Sequence, residues 1–172
     1  MNALVVSHQE GPIPTIHTIT RQAFRIRTFE QAADLSHMLS LACREPDRIA
    51  FGLFELLANA IEHGNLDMTS GEKLRLMEQD AYQTEIERRL ALPKYKDRYV
   101  EVLCEEKDGY LSFLIEDQGR GFDFNLYLNM DLSTNQTCRG RGIALAYATS
   151  FDRMTYLGMG NKVQVMTKFS DT

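Results

Sequence analysis

One stretch of the chain combines an apolar helical pattern with carboxylate, amide and imidazole side chains. In residues 54–64 (FELLANAIEHG), Glu55 and Asn59 lie four apart and are expected to stack on one helix face, with Glu62 and His63 one turn further on. Asparagine is unfavourable inside a helix because its amide competes for backbone hydrogen bonds. A bound ligand would compensate for this cost, whereas a polar helix surface that stops at Gly64 is the alternative.

Two glycine-containing segments follow along the chain. Residues 117–122 (DQGRGF) come directly after an apolar strand pattern, so an Asp at a strand end precedes a reversal in which a ligand can approach the backbone. Residues 139–142 (RGRG) precede an apolar helix, whose N-terminal N–H groups favour an anion. An ordinary Asp-Gly turn and a flexible loop with two solvated arginines are the alternatives.

The elements that must position these residues alternate between helical and strand patterns. The sequence predicts an opening strand within residues 15–28, helices over 29–43 and 46–63, a helix after Gly142, and four further strands at 98–105, 110–116, 153–157 and 162–169. Because the strands are hairpin-linked, we expect an α+β fold: a two-layer sandwich of a mostly antiparallel mixed sheet with helices on one face. Residues 1–14 are expected to form a loose leader before a single domain at 15–172.

Residues 67–98 differ from the rest. They are densely charged and carry a narrow apolar stripe at Leu74, Met77, Ile86 and Leu90, which predicts an amphipathic helix or helix pair inserted in the domain. The insertion is either a solvated helix laid across the domain or a docking surface for a partner or second subunit.

Composition narrows the function classes. The 172 residues carry a net charge of −5, which argues against nucleic acid as the main partner, because such proteins need a basic surface. The three cysteines lack a CxxC pair, and no apolar run is long enough for a membrane span, so we expect a cytoplasmic protein without a membrane partner. The P-loop pattern GxxxxGK[ST] is absent.

Taken in order, the three segments resemble the nucleotide-binding motifs of the GHKL (histidine kinase-like) ATPase superfamily. ExxxNAxxHG at 55–64 is similar to its N box, DxGxGF at 117–122 to its first glycine box, and GxG at 140–142 to its second. The resemblance extends over residues 24–169. Within the superfamily it is greatest to the anti-sigma factor serine/threonine-protein kinases, which the closing segment FDRMTYLGMGNKVQV also resembles.

The resemblance implies a role for each matching residue. Asn59 would coordinate the Mg²⁺ that bridges the ATP phosphates, and Glu55 would be the catalytic general base. Asp117 would accept a hydrogen bond from the adenine amino group, while Gly119 and Gly121 would let the base and ribose approach. The other positions implied to lie at the nucleotide are His63, in a packing or supporting role, Phe122, Arg139, Gly140, Arg141, Gly142 and Asn161.

Two departures from the family pattern qualify these roles. Many superfamily members have Gly-Thr where this chain has Gly160-Asn161, so Asn161 would have to replace a phosphate contact. The insertion at 67–98 is the second departure, and similar insertions accompany members fused to receiver and phosphatase modules. The loop at 123–139 is implied to act as a lid.

The implied function is transfer of the ATP γ-phosphate to a serine of an anti-anti-sigma (STAS-domain) protein. This reaction would regulate sigma-factor availability by partner switching, and the resemblance is consistent with a homodimer. One alternative is that the chain is an anti-sigma module that binds ATP or a protein without phosphoryl transfer and would be the output domain of a larger response regulator. Another is an ATPase or histidine-kinase fragment that acts on a different acceptor.

Overall fold

The computed structural model describes residues 21–124, 145–146 and 148–169. The predicted leader at 1–14, the first part of the predicted strand at 15–28 and most of the predicted lid lie outside the described residues.

The described strands form one five-stranded sheet with the order β1-β2-β3-β5-β4, and every neighbouring pair is antiparallel. The strands are β1 Arg21–Ile26, β2 Val100–Lys107, β3 Tyr110–Glu116, β4 Arg153–Leu157 and β5 Lys162–Lys168. Asp108 and Gly109 connect β2 to β3 with φ angles of 53° and 79°, the positive values that a two-residue type I′ turn requires. The predicted β2 at 98–105 is displaced by two residues from the observed strand.

Four α-helices lie wholly within the described part of the chain: α1 Phe29–Ser40, α2 Pro46–Asn59, α3 Ser70–Glu78 and α4 Tyr82–Ala91. The sequence explains where three of them begin. Thr28 with Gln31, and Thr69 with Glu72, form capping boxes that satisfy the first backbone N–H groups of α1 and α3. Pro46 occupies the first turn of α2, where its missing N–H costs nothing.

The core lies between the sheet and the helix pair α1–α2. Alternate strand residues point to this layer, and the helices present an apolar stripe to it. Its fully buried members include Leu39, Ile49, Leu53, Leu57, Val102, Phe113, Ile115 and Val165. The predicted two-layer α+β fold is confirmed.

The insertion is a helix pair, as predicted, but the predicted apolar stripe is wrong for its first helix. Leu74 and Met77 on α3 are 48% and 54% exposed, and Leu76 is the α3 residue that packs against the core. On α4, Ile86 is 1% exposed and Leu90 is partly buried, as the stripe predicted. The two helices therefore differ, since α3 has no buried residue and α4 is anchored by Ile86.

Candidate functional site

The helix that carries the first motif changes its winding at the site. Helix α2 ends at Asn59, and residues Ala60–Asn65 continue as a π-helical turn. The N–H of Leu66 donates to the carbonyl oxygen of Ile61 at 2.9 Å, an i to i−5 bond. The predicted stop at Gly64 is therefore wrong by one residue, because the wider turn carries the helical backbone through Asn65. Such turns often occur at functional sites.

Glu55 and Asn59 lie on the partly exposed side of α2. Leu53, Leu56 and Leu57 are buried on the opposite side and fix the orientation of the helix. No hydrogen bond or ion pair joins the side chain of Glu55 or Asn59 to another described residue. The two polar groups are thus positioned by the helix backbone, and their polar atoms remain available for a ligand within this part of the structure.

The sequence predicted that Glu62 would continue this polar face, but the structure buries its side chain. Its side chain is 1% exposed, and its Oε2 accepts a hydrogen bond from the Nζ of Lys73 at 2.8 Å. Among the described residues, its Oε1 has no hydrogen-bond partner. Burial, together with the nearby charge of Glu62, raises the pKa of Tyr82. Lys73 and Tyr82 belong to α3 and α4, so the insertion is what covers this carboxylate.

His63 is held by the backbone beyond the π-helical turn. Its Nδ1 donates to the carbonyl oxygen of Met68, and its Nε2 lies 3.9 Å from the Oε2 of Glu62. The ring is partly exposed at the edge of the site. This geometry is compatible with the supporting role that the motif implied, and a contact with nucleotide stays a prediction.

Gly64 packs directly against the loop that follows β3. A Cβ atom on Gly64 would lie 2.3 Å from the Cγ of Asp117, and a Cβ on Gly119 would lie 2.5 Å from the carbonyl oxygen of Gly64. Neither position has room for a side chain. The N–H of Gln118 donates to the Oδ1 of Asn65 at 2.8 Å and fixes the same junction. The first two sequence motifs therefore meet in space.

Asp117 has the most perturbed carboxylate of the site. Burial raises its pKa to about 6, and the negative charge of Glu116 adds to this effect, while the N–H of Gly119 and the charge of Arg98 oppose it. Gly119 donates to the Oδ1 of Asp117 at 2.7 Å. None of the described residues donates a hydrogen bond to Oδ2. A desolvated carboxylate with one oxygen available is suited to accept a hydrogen bond from a ligand amino group.

The β4–β5 turn supports the Asp117 backbone. The Nδ2 of Asn161 donates to the carbonyl oxygen of Asp117 at 3.1 Å, and the N–H of Asp117 donates to the carbonyl oxygen of Asn161 at 3.0 Å. Gly121, with φ 75°, lies against the same turn, where an added Cβ would come within 2.0 Å of the Met159 carbonyl oxygen. Asn161 therefore positions Asp117, and its predicted contact with a phosphate stays a prediction.

An aromatic cluster borders the loop. Phe122 packs edge-on against Tyr156 with ring centroids 5.2 Å apart, and Phe124 stacks on the same ring at 5.2 Å. Burial, with the charge of Asp117 as a second cause, raises the pKa of Tyr156. Phe122, predicted to contact the nucleotide, thus lies in an apolar wall next to the carboxylate.

The third motif cannot be placed. Arg139, Gly140, Arg141 and Gly142 lie outside the described residues, as does most of the predicted lid. Residues 145, 146, 148 and 149, which follow the motif, are helical, as predicted.

A cavity of about 340 Å³ opens between the insertion and the DQGRGF loop. It is lined by His63, Asp67, Met68, Thr69, Lys94, Arg120 and Gly121. Two of these, His63 and Gly121, were among the predicted site residues.

Sequence reasoning gave no site role to Asn65, Lys94 or Arg120, and it placed Glu62 on the polar face of the helix. Asn65 is 3% exposed. The signal available in the sequence was its position, since a polar residue directly follows the last glycine of the N box. Lys94 could not be found from the sequence, because a distant helix pair brings it to the cavity.

A model of one protein family, described as "Histidine kinase-like ATPase domain", matches residues 16–167 of the chain. A comparison with curated proteins gave no match. Within the described residues, no helix has the length and apolar character that crossing a membrane requires.

Proposed function

Because the chain belongs to the histidine kinase-like ATPase domain family, whose members bind ATP, we propose that it is an ATP-dependent protein serine kinase of the anti-sigma factor type. The acceptor is a serine of an anti-anti-sigma (STAS-domain) protein, and phosphorylation changes the availability of a sigma factor by partner switching. ATP with Mg²⁺ is the phosphoryl donor. The serine specificity and the partner rest on the motif resemblance, whereas the nucleotide site is also supported by geometry.

The observation that carries the proposal is the junction of Gly64, Asp117 and Gly119. Asp117 is desolvated there and keeps one carboxylate oxygen without a donor among the described residues. An adenine amino group can donate to that oxygen. Because Gly64 and Gly119 have no side chain, the DQGRGF loop can pack against the end of the helix. An adenine at Asp117 would then lie in the same site as the polar side chains of α2.

The residues on α2 fit the phosphate end of the nucleotide. Asn59 supplies one amide oxygen, which is enough protein ligation for Mg²⁺, an ion that keeps most of its waters and the phosphate oxygens as ligands. When bound, Mg²⁺ would neutralise charge on the phosphates.

Glu55 would act as the general base. It lies one helical turn before Asn59, so its carboxylate faces the same region as the metal-bound phosphates. In the proposed reaction the serine hydroxyl transfers its proton to Glu55 and its oxygen forms a bond to the γ-phosphorus. The bond from the γ-phosphorus to the bridging oxygen breaks, and ADP leaves with that oxygen. General-base assistance contributes about 10²–10⁴-fold to such a step.

The test separates binding from transfer. Calorimetric titration of the wild type with ATP and Mg²⁺ should give a binding heat that Asn59→Ala loses or strongly weakens. Glu55→Gln should bind ATP like the wild type and transfer phosphate to a STAS-domain protein about 10²–10⁴-fold more slowly. Acid-stable phosphoserine on the acceptor is expected.

The outcomes distinguish the alternatives. Acid-labile phosphate on the acceptor would indicate a histidine-kinase fragment. Wild-type transfer rates in Glu55→Gln would refute the assigned base. Nucleotide binding without transfer to any STAS-domain acceptor would favour a non-catalytic module, and absence of ATP binding at millimolar concentration would refute the proposal.

A further inference from the structure

The insertion is bonded to the end of the motif helix. On α4, Arg89 donates to the carbonyl oxygen of Leu66 at 2.8 Å and pairs with Glu72 and Glu85. Arg98 donates to the carbonyl oxygen of Asn65 at 2.9 Å. These bonds join the C-terminal half of the insertion to the two residues after Gly64, and the Arg89–Glu72 pair links α4 to α3, so the segment holds a fixed position at the site.

This anchoring brings one lysine to the cavity in a defined orientation. The Nζ of Lys94 donates to the Oδ2 of Asp67 at 2.8 Å and to the hydroxyl of Tyr95 at 3.0 Å. A lysine ammonium group carries three N–H donors. The third donor remains for a ligand, and the lysine loses little freedom on binding because two contacts already hold it.

The charge balance of the cavity favours an anion. Lys94 and Arg120 line it, and Asp67, the one carboxylate of the lining, also pairs with Arg98 at 3.3 Å. Two cationic side chains therefore line the cavity with one carboxylate, and Arg98, from outside the lining, also offsets the charge of that carboxylate. Among the described residues, none forms an ion pair or hydrogen bond with the side chain of Arg120.

The position of the cavity connects this charge with the proposed nucleotide site. His63 lines it and lies four residues after Asn59, in the π-helical turn that directly continues α2. Gly121, from the loop that begins at Asp117, forms the opposite wall. A group bound in the cavity thus lies within reach of both the residue proposed for Mg²⁺ and the loop proposed for the base.

We propose that this cavity is a polyphosphate-binding subsite, in which Lys94 of the insertion and Arg120 of the DQGRGF loop contact the phosphates of the bound nucleotide. The inference rests on the proposed nucleotide binding and assigns the insertion a part in it. The insertion then contributes a phosphate-binding side chain to the site, in addition to covering Glu62.

The test is a ligand series measured by calorimetry with Mg²⁺ present: adenosine, ADP, ATP and inorganic pyrophosphate. Lys94→Gln should weaken ADP, ATP and pyrophosphate binding at least tenfold, the effect of losing one charge-assisted hydrogen bond, and leave adenosine unchanged. Arg120→Gln should give the same pattern. Lys96→Gln is the matched control, because Lys96 carries the same charge two residues away, is exposed and does not line the cavity. Lys94→Arg should keep most of the affinity.

Each result decides the question. Equal losses for adenosine and ATP in Lys94→Gln would show a structural role and overturn the subsite, as would equal affinities in Lys94→Gln and Lys96→Gln. In both cases the proposed ATP binding would stand. A third outcome is that the wild type binds pyrophosphate but no nucleotide, and that Lys94→Gln loses the pyrophosphate binding. This result would support the subsite and overturn the proposed function. Binding of neither by the wild type would overturn both.

Discussion

Replacing Asp117 with Asn should stabilise the folded chain at neutral pH and weaken adenine recognition at the same time. The substitution keeps the shape of the side chain and an oxygen that accepts the Gly119 N–H, but it removes the charge. In the folded wild type the charge of Asp117 is desolvated, and this burial raises the pKa of Asp117 to about 6. The amide would also present a donor–acceptor pair in place of two acceptor oxygens.

The size of the effect follows from the pKa. A rise from 3.8 to about 6 corresponds to about 3 kcal/mol, because one unit of pKa equals 1.36 kcal/mol. The side chain is partly exposed and water screens its charge, so we expect a gain of roughly 1–3 kcal/mol in the free energy of unfolding. For a chain of this length the gain raises Tm by roughly 2–12 °C.

The pH dependence of the gain identifies its cause. Above about pH 6 the folded wild type carries the full cost of the charge, so the advantage of Asp117→Asn is complete. As the pH falls from about 6 towards 4, the folded wild type binds a proton before the unfolded chain does, and the advantage declines to nothing.

The assay is chemical denaturation of wild type and variant at pH 7.5, 6 and 4.5. Asp108→Asn is the control, since it removes the same charge in the exposed β2–β3 turn, where asparagine also tolerates positive φ. A lower stability of Asp117→Asn at pH 7.5, or a gain that is independent of pH, would refute the assignment of a costly buried charge.

Three further predictions concern the same site. Gly64→Ala should lower stability by about 1–3 kcal/mol and reduce ATP affinity, because its Cβ would displace Asp117. Gly158→Ala should also lower stability, because φ at Gly158 is 59°, but it should keep the affinity, since no atom lies within 4 Å of the added Cβ; equal losses of affinity in calorimetry would contradict this. Lys73→Ala should cost about 1–3 kcal/mol in urea denaturation, because the buried Glu62 loses its charge-assisted hydrogen bond from a partly exposed lysine, and adding Glu62→Gln should recover most of that loss, whereas additive losses would contradict it. The wild-type affinity for ATP should decline as the pH falls below about 6, where Asp117 takes up a proton, and a constant affinity down to pH 5 would contradict the role of that carboxylate.

Much of the fold could be predicted, because the decisive signals were local. Periodicity located α1 and α2, Pro46 marked the start of α2, and the Asp108-Gly109 pair predicted the β2–β3 hairpin. The meeting of Gly64 with Asp117 was foreseen only through the motif resemblance, since nothing in the spacing of two residues 53 positions apart requires contact.

The errors in the sequence-based predictions come from interactions between distant segments. Helical periodicity places Glu62 beside Glu55 and Asn59, but Lys73 and Tyr82 of the insertion cover it. The apolar stripe assumed that α3 and α4 bury one continuous face. The structure instead anchors the insertion through Ile86 and Arg89, so Leu74 and Met77 remain exposed.

The motif residues fall into two groups, those that packing requires and those that packing does not explain. Gly64, Gly119 and Gly121 are positions where a Cβ atom would collide with the neighbouring backbone or with Asp117, so their pattern reports a packing requirement of the fold. The side chains of Glu55 and Asn59 form no hydrogen bond with the described residues, and packing does not explain their presence. Substitutions in the first group should therefore change stability and nucleotide affinity together, whereas Glu55→Gln should leave both intact and slow phosphoryl transfer alone.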